Sequence, residues 1–296
     1  MADLSPYSTH FFAPEATNNS WSNMYHYISE GARVLDVGCS TGNFGAALEA
    51  MKNCTVVGVD INERDIEVAK TRISEAYVLD ITKPRAADLL GVFDVVIFAD
   101  VIEHLPDPRA TLRAVHDLLA EGGVIVYSIP HMGHISVRLD MLEGRFPYTE
   151  LGLLDRTHLH FYDRSEVHDV FARSGFMITD ERPTVSDYPR KWTIERLANI
   201  GLTASPAFFG MLAHTEANVY QYIGTAVPRG EAPYAPVSAR EEITPPDEIL
   251  GRAERLIAEN EVLSAQLHAV RTQLSSIRHH PIRTVLRALR RRMRQR

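Results

Sequence analysis

"RVLDVGCSTGNFGAAL", Arg33 to Leu48, decides the fold, and it can be read in two incompatible ways. Gly38-Cys39-Ser40-Thr41-Gly42 fits G-x-S-x-G, the strained turn that presents a hydrolase's nucleophilic serine. The same residues also form an acid-x-Gly-x-x-x-Gly loop, Asp36 to Gly42, of a shape that holds a nucleotide-like cofactor. The surroundings separate the two. A nucleophile elbow follows a central strand well inside its domain, but here the loop ends the first strand. The hydrolase reading also leaves Asp36 unused, and with it Asp60, which ends the next strand. A ligand with a ribose uses Asp60 directly, because a carboxylate there can accept hydrogen bonds from both ribose hydroxyls.

Working outward, apolar runs alternate with segments of helical period. "RVLDV", "TVVGVD", "AYVLD", "FDVVIFA" and "GVIVYSI" are short, rich in Val and Ile and apolar on both faces, as buried parallel strands are. Between them lie "NFGAALEAMK", "ERDIEVAKTRI" and "DPRATLRAVHDLLAEGG"; the last is predicted to start at Asp107-Pro108 and stop at Gly122-Gly123. This alternation predicts a doubly wound α/β sheet over 31–227, behind an N-terminal cap segment, 1–30. The rhythm breaks at 131–163, an insertion of histidines, glycines and aromatics in which Asp155 and Arg156 read as an ion pair. A helix "SEVHDVFARSG", a strand "FMITDER", a variable stretch 183–216 and a last strand "NVYQYIGTAV" follow.

Bulk properties exclude several classes. With 296 residues, 45% of them hydrophobic, the chain can build a large core. Cys39 and Cys54 make neither a disulfide framework nor a zinc pattern. No apolar run is long enough to cross a membrane and no secretion signal is evident, so a reducing cytoplasm is expected. Eight arginines and no acid fall between Arg278 and Arg296, so the body ahead of them is more acidic than the net charge of -7 suggests. An acidic body argues against nucleic acid as a partner.

The loop itself narrows the ligand. A dinucleotide site wants G-x-G-x-x-G, and two of those three positions are Ser40 and Asn43. A zwitterion suits Asp36 better, because a carboxylate there can bind an ammonium group. With "VLDVGCSTG", "GVD", "VLDI", "FDVVIFADVIEHLPDP" and "LLAEGGVIVYSIP" in order, the chain resembles the class I S-adenosylmethionine-dependent methyltransferases over about residues 20–227. The resemblance implies a Rossmann-like, mostly parallel seven-stranded sheet and S-adenosylmethionine as cofactor. It also implies cofactor contacts at Asp36, Gly38, Ser40, Gly42, Asp60, Ile61, Asp80, Ile81, Ala99 and Asp100. Ser40 stands where many members have glycine.

The insertion, "SVRLDMLEGRFPYTELGLLDRTHLHFYDRSEV", is similar to methyltransferases found beside glycosyltransferases in bacterial surface-glycan and glycolipid pathways. That resemblance implies a sugar hydroxyl as acceptor; a small phenolic or quinone-like acceptor is the alternative, and a non-catalytic coiled-coil adaptor a rival of a different class. A sugar hydroxyl is a poor nucleophile at neutral pH and needs a base or a metal. "ADVIEHLP" sets Asp100, Glu103 and His104 at i, i+3 and i+4, one helical turn that could converge on the pocket rim. The spacing resembles the E-x-x-E-H cluster of magnesium-dependent quinone-precursor O-methyltransferases and of small-RNA terminal 2′-O-methyltransferases. The resemblance implies His158 as the fourth ligand of a Mg or Mn ion. Without a metal, His158 or His160 becomes the general base, ahead of His131 and His134.

Beyond a Pro-rich linker, 228–247, an apolar seam repeats at Ile249, Leu256, Leu263, Val270 and Ile277, and at Ala253, Asn260, Leu267 and Leu274. A coiled coil over 248–278 is expected, with Asn260 favouring a parallel homodimer. The basic tail, 279–296, sets an apolar stripe among arginines and is expected to touch anionic lipid at the inner face of the membrane.

Overall fold

The structure, a computed structural model, describes residues 12–83 and 91–230 together with Leu267 and Val270. The chain divides into two units, Met1–Thr203 with Thr215–Ile243, and Ala204–His214 with Thr244–Arg296.

The first unit is built on the strands expected from the apolar runs: β1 (Arg33–Val37), β2 (Thr55–Asp60), β3 (Glu75–Val78), β4 (Phe93–Ala99), β5 (Leu119–Pro130), β6 (Phe176–Val185) and β7 (Val219–Pro228). They form one seven-stranded sheet in the order β3-β2-β1-β4-β5-β7-β6. β1 pairs in parallel with β2 and β4, and β7 runs antiparallel to both β5 and β6. Alternation explains why the strands are apolar on both sides. Leu35 and Val37 face one core with Val96, Phe98 and Tyr127, while Val34 faces the other with Val56, Val95 and Ile97.

Helices close both faces. α1 (Ser20–Tyr27), α2 (Asn43–Lys52) and α3 (Glu63–Ala69) send Met24, Leu48 and Ile66 into the second core. α4 (Pro108–Val115) and α6 (Arg164–Arg173) send Leu112 and Phe171 into the first. α5 (Ile135–Leu142) lies in the insertion and α7 (Arg190–Asn199) follows β6. In the second unit, the described residues are 204–214, which hold α8 (Pro206–His214), and the helical, exposed Leu267 and Val270.

Three boundaries differ from the expectation. The helix expected to run to Gly122-Gly123 ends at Val115, adds a 3-10 turn to Leu118, and gives way to β5 at Leu119. The glycine pair is therefore not a helix stop but an irregularity inside the strand. Gly122 sits at φ +76, and a Cβ on Gly123 would lie 2.9 Å from the Ala120 carbonyl oxygen. β3 stops at Val78, two residues short, although Leu79 still donates to the Asp60 carbonyl at 2.9 Å. β6 runs on to Val185, which carries its end toward the cavity described below. The expected coiled coil, basic tail and most of the linker lie outside the described residues. No helix among the described residues is long and apolar enough to cross a membrane.

Candidate functional site

The strand order reverses between β1 and β4, and such a switch point opens a crevice at the carboxyl ends of the strands. A cavity of about 760 Å³ lies there, within the range of about 300–1,000 Å³ typical of ligand pockets. One end is lined by Asp36, Gly38, Ser40 and Asp60, the other by Glu103, His104, Leu151 and His158.

At the first end the loop after β1 folds as a cradle. Gly38 adopts φ +72, and a Cβ there would meet the Val101 methyl at 2.7 Å, so only glycine keeps this floor open. Ser40, also left-handed at φ +46, donates its backbone N–H to Asp60 Oδ2 at 2.9 Å and its hydroxyl to Asp65 Oδ2 at 2.8 Å. Asn62 N–H holds the other Asp60 oxygen at 2.8 Å, which fixes the carboxylate at the strand end. Asp36 is 3% exposed. Burial and then the neighbouring Asp60 push its carboxyl up to about 7. A cationic ligand group would relieve both effects, and that is what the ammonium and sulfonium of S-adenosylmethionine offer. The residues fit the cofactor.

Not every expected contact lines this cavity. Ala99 and Asp100 do; Gly42, Ile61, Asp80 and Ile81 are absent from its described wall. Gly42 instead lets α2 pack on α3, since a Cβ would come within 3.3 Å of the Ala69 backbone. Asp80 accepts from the Thr82 hydroxyl at 2.6 Å, which with the Thr82 N–H holds its carboxyl below the usual range. Ile61 remains exposed beside Asp60.

At the second end, Glu103, His104 and His158 each bring one ligand atom within 4.8 Å of the others. Glu103 is 1% exposed and neither carboxylate oxygen has a hydrogen-bond partner. Burial, followed by repulsion from Asp100, raises its pKa well above the ordinary value. The two imidazoles are aimed by carbonyls. His104 Nδ1 lies 3.2 Å from the Thr157 carbonyl, and His158 Nδ1 lies 3.3 Å from that of Leu153. A carbonyl only accepts, so both rings carry their proton on Nδ1, which leaves the Nε2 lone pairs available. His158 Nε2 stands 4.0 Å from Glu103 Oε1. Burial and the neighbouring His104 lower the His158 pKa, which favours the neutral form that a ligand or a base requires. Leu159 and His160 both donate backbone N–H groups to the Glu103 carbonyl, at 2.9 and 3.1 Å, tying the insertion to the turn after β4.

Asp100 is not part of this cluster. The expectation assumed one α-helical turn from Asp100 to His104. The chain instead takes Asp100 through φ +54 and makes a 3-10 turn at Ile102–His104. Its carboxylate accepts from Gln221 Nε2 at 2.9 Å and from the Ser128 hydroxyl at 2.9 Å, toward β5 and β7. The His160 ring is also outside the cavity wall; its Nε2 is buried without a partner. His134 caps α5 and is bonded to Ser136 and to the Ser186 carbonyl, and His131 packs on Tyr222. Arg156 pairs with Glu150 at 2.9 Å, while Asp155 accepts the Thr157 hydroxyl at 2.6 Å.

Several wall residues carried no sequence signal strong enough to single them out. Trp21 is stacked on Phe44, and Asn18 exchanges two hydrogen bonds of 2.7 Å with the Val185 backbone. Tyr188 and Tyr220 also line the cavity. Gln221 had the one readable sign, an amide inside a mostly apolar strand.

The fold and the loop together define the class I S-adenosylmethionine-dependent methyltransferases. A family model for a methyltransferase domain matches residues 15–181, more than half of the chain, and the chain belongs to that family. Over 113 residues it is 35% identical to a ubiquinone biosynthesis O-methyltransferase of Escherichia coli O127:H6, covering 34% of this chain and 47% of that protein. A protein of the same name from Shigella boydii serotype 18 matches to the same extent. The chain spans about half the length of the curated relatives it matches. Among solved structures, the YcgJ protein of Bacillus subtilis is 16% identical with a TM-score of 0.48, covering 72% of this chain and 99% of that one. An S-adenosylmethionine-dependent methyltransferase of Clostridium acetobutylicum is 13% identical with a TM-score of 0.47, covering 73% and 94%.

Proposed function

We propose that this protein is an O-methyltransferase that moves the methyl group of S-adenosylmethionine to a hydroxyl, on a sugar of a surface glycan, a glycolipid or its precursor. The observation that carries this reading is the Glu103–His104–His158 cluster at one end of a cavity whose other end is the Asp36–Asp60 cradle. In the transfer, the methyl carbon's bond to sulfur breaks as its bond to the acceptor oxygen forms. The hydroxyl proton is given up, and S-adenosylhomocysteine leaves.

The cofactor supplies an electrophilic methyl group; the chain has to position it and prepare the nucleophile. Asp36 would balance the ammonium, and Asp60 would hold the ribose hydroxyls from a carboxylate already fixed by Ser40 and Asn62. Glu103 and the Nε2 atoms of His104 and His158 would hold a divalent cation. Such a cation would supply charge that lowers the acceptor hydroxyl's pKa. Two imidazoles with one carboxylate favour Mn over Mg. Without a cation, His158 Nε2 is the base that faces the cavity.

A second reading is favoured by the 35% identity to proteins named for ubiquinone biosynthesis: a phenolic acceptor with adjacent oxygens, taken up by the same cluster. Transfer of labelled methyl from S-adenosylmethionine into lipid-linked glycan or into catechol separates the two. Transfer into neither, in the presence of Mn, would remove the O-methyltransferase reading.

A further inference from the structure

Glu103 and His158 are buried, whereas His104 is half-buried and its neighbour Thr157 is exposed. The bond from His104 Nδ1 to the Thr157 carbonyl, at 3.2 Å, is at the long end of the usual range of about 2.7–3.2 Å, which leaves it open to competition from water. A second oxygen faces the same nitrogen. The Thr157 hydroxyl lies 3.1 Å from His104 Nδ1. A hydroxyl both donates and accepts, so alone it would fix nothing. Behind it stands Asp155, which is 2% exposed. Its Oδ1 accepts the Thr157 hydroxyl at 2.6 Å and the Thr157 backbone N–H at 2.8 Å. The hydroxyl's one proton is thereby committed to the carboxylate. Toward the imidazole its oxygen can only accept, and Nδ1 has to be the nitrogen that donates. The backbone holds these groups in line: Asp155 N–H is bonded to the Gly152 carbonyl at 3.1 Å, and Leu159 and His160 hold the Glu103 carbonyl on the other side.

We infer that Asp155, acting through the Thr157 hydroxyl, sets the tautomer of His104 and is a positioning residue of the Glu103–His104–His158 cluster. This deepens the reading of that cluster given above and rests on it. With its proton on Nδ1, the ring keeps a lone pair on Nε2, able to take up a cation or a proton; the other tautomer would put an N–H there, able to do neither. A buried acid behind an imidazole also polarises the bond between them and makes the far nitrogen a better donor of electrons, and here a hydroxyl is inserted in that arrangement. His158 needs no such device. It is buried, and the Leu153 carbonyl holds its Nδ1 with little water to compete.

Nitrogen NMR on the full chain, labelled at the rings of its 13 histidines, reads the tautomer directly. Long-range proton–nitrogen correlations in mildly alkaline, metal-free buffer show which nitrogen of each neutral ring is protonated, and a His104→Gln spectrum assigns the residue. His104 should carry its proton on Nδ1. Asp155→Ala frees the hydroxyl proton to turn toward Nδ1 and should move His104 toward the Nε2–H form. Adding Thr157→Val to that variant removes the hydroxyl and should move it back, a reversal that general loosening of the loop would not produce. An Nε2–H tautomer in the natural protein overturns the inference, and so does a tautomer that Asp155→Ala leaves unmoved. Where Asp155→Ala does not fold, Thr157→Val should shift the His104 Nδ1 resonance and Thr157→Ser should not; two variants that behave alike overturn it. Asp155→Ala should also lower Mn affinity and methyl transfer by about tenfold or more with S-adenosylhomocysteine affinity unchanged; undiminished values beside a displaced tautomer overturn the positioning role. The expected tautomer in a natural chain that neither binds Mn nor transfers methyl keeps the assignment of Asp155 and removes the reading of the cluster instead.

Discussion

Replacing Asp36 by Asn should stabilise the empty protein at alkaline pH and ruin its affinity for the cofactor. Asp36 is 3% exposed at the end of β1, and burial followed by the charge of Asp60 pushes its carboxyl from 3.8 to about 7. A raised folded-state pKa means that the folded chain holds a proton that the unfolded chain releases. The stability this group contributes is present in full below about pH 4 and is lost as the pH rises through about 7. A shift of roughly three units, at about 1.4 kcal/mol each, sets an upper bound of about 4 kcal/mol at pH 8. Asn is close in size and never ionises, so Asp36→Asn should recover part of that, on the order of 2 kcal/mol. For a domain of this size that corresponds to several degrees in Tm. At pH 4 the two proteins should melt together. Thermal melts at pH 4 and pH 8, with and without S-adenosylhomocysteine, measure all of this. The ligand should raise the Tm of the natural protein strongly and that of the variant hardly at all. A variant that melts no higher at pH 8, or that binds the ligand as tightly, would refute the reasoning.

Two further outcomes are expected. His131 is buried with both ring nitrogens unpartnered, and burial, then Arg138, lowers its pKa from 6.5 to about 4. Its stability contribution is complete above about pH 6.5 and falls by up to about 3 kcal/mol as the pH drops toward 4; urea titrations should show His131→Phe flattening that acid limb. Gly38→Ala forces a side chain onto φ +72 against Val101; it should cost about 1–3 kcal/mol and weaken cofactor binding at least tenfold by calorimetry.

The sheet and the acids at its strand ends were legible because burial leaves a direct mark on sequence. Val34, Leu35 and Val37 are apolar since both faces of β1 are covered, and Asp36 stands out because nothing in a core asks for an acid. Asp60 was legible from its place at the end of β2. The Glu103 end of the cavity was read only in part. Glu103, His104 and His158 come together as expected, but Asp100 does not, because spacing alone cannot distinguish an α-helical turn from a left-handed residue followed by a 3-10 turn. Gly122-Gly123 misled for a related reason: glycine marks both helix ends and strand irregularities. Trp21, Asn18 and Tyr188 were illegible as wall residues. They reach the cavity through tertiary contacts, Asn18 by clasping Val185 across 167 positions.

The most direct test of the acceptor site is a calorimetric titration of Mn into the chain saturated with S-adenosylhomocysteine. One ion per chain should bind; Glu103→Gln and His158→Ala should abolish that binding with the S-adenosylhomocysteine affinity preserved, and His160→Ala should leave it intact. Absence of binding to the natural protein, or binding that survives loss of His158, would contradict the account.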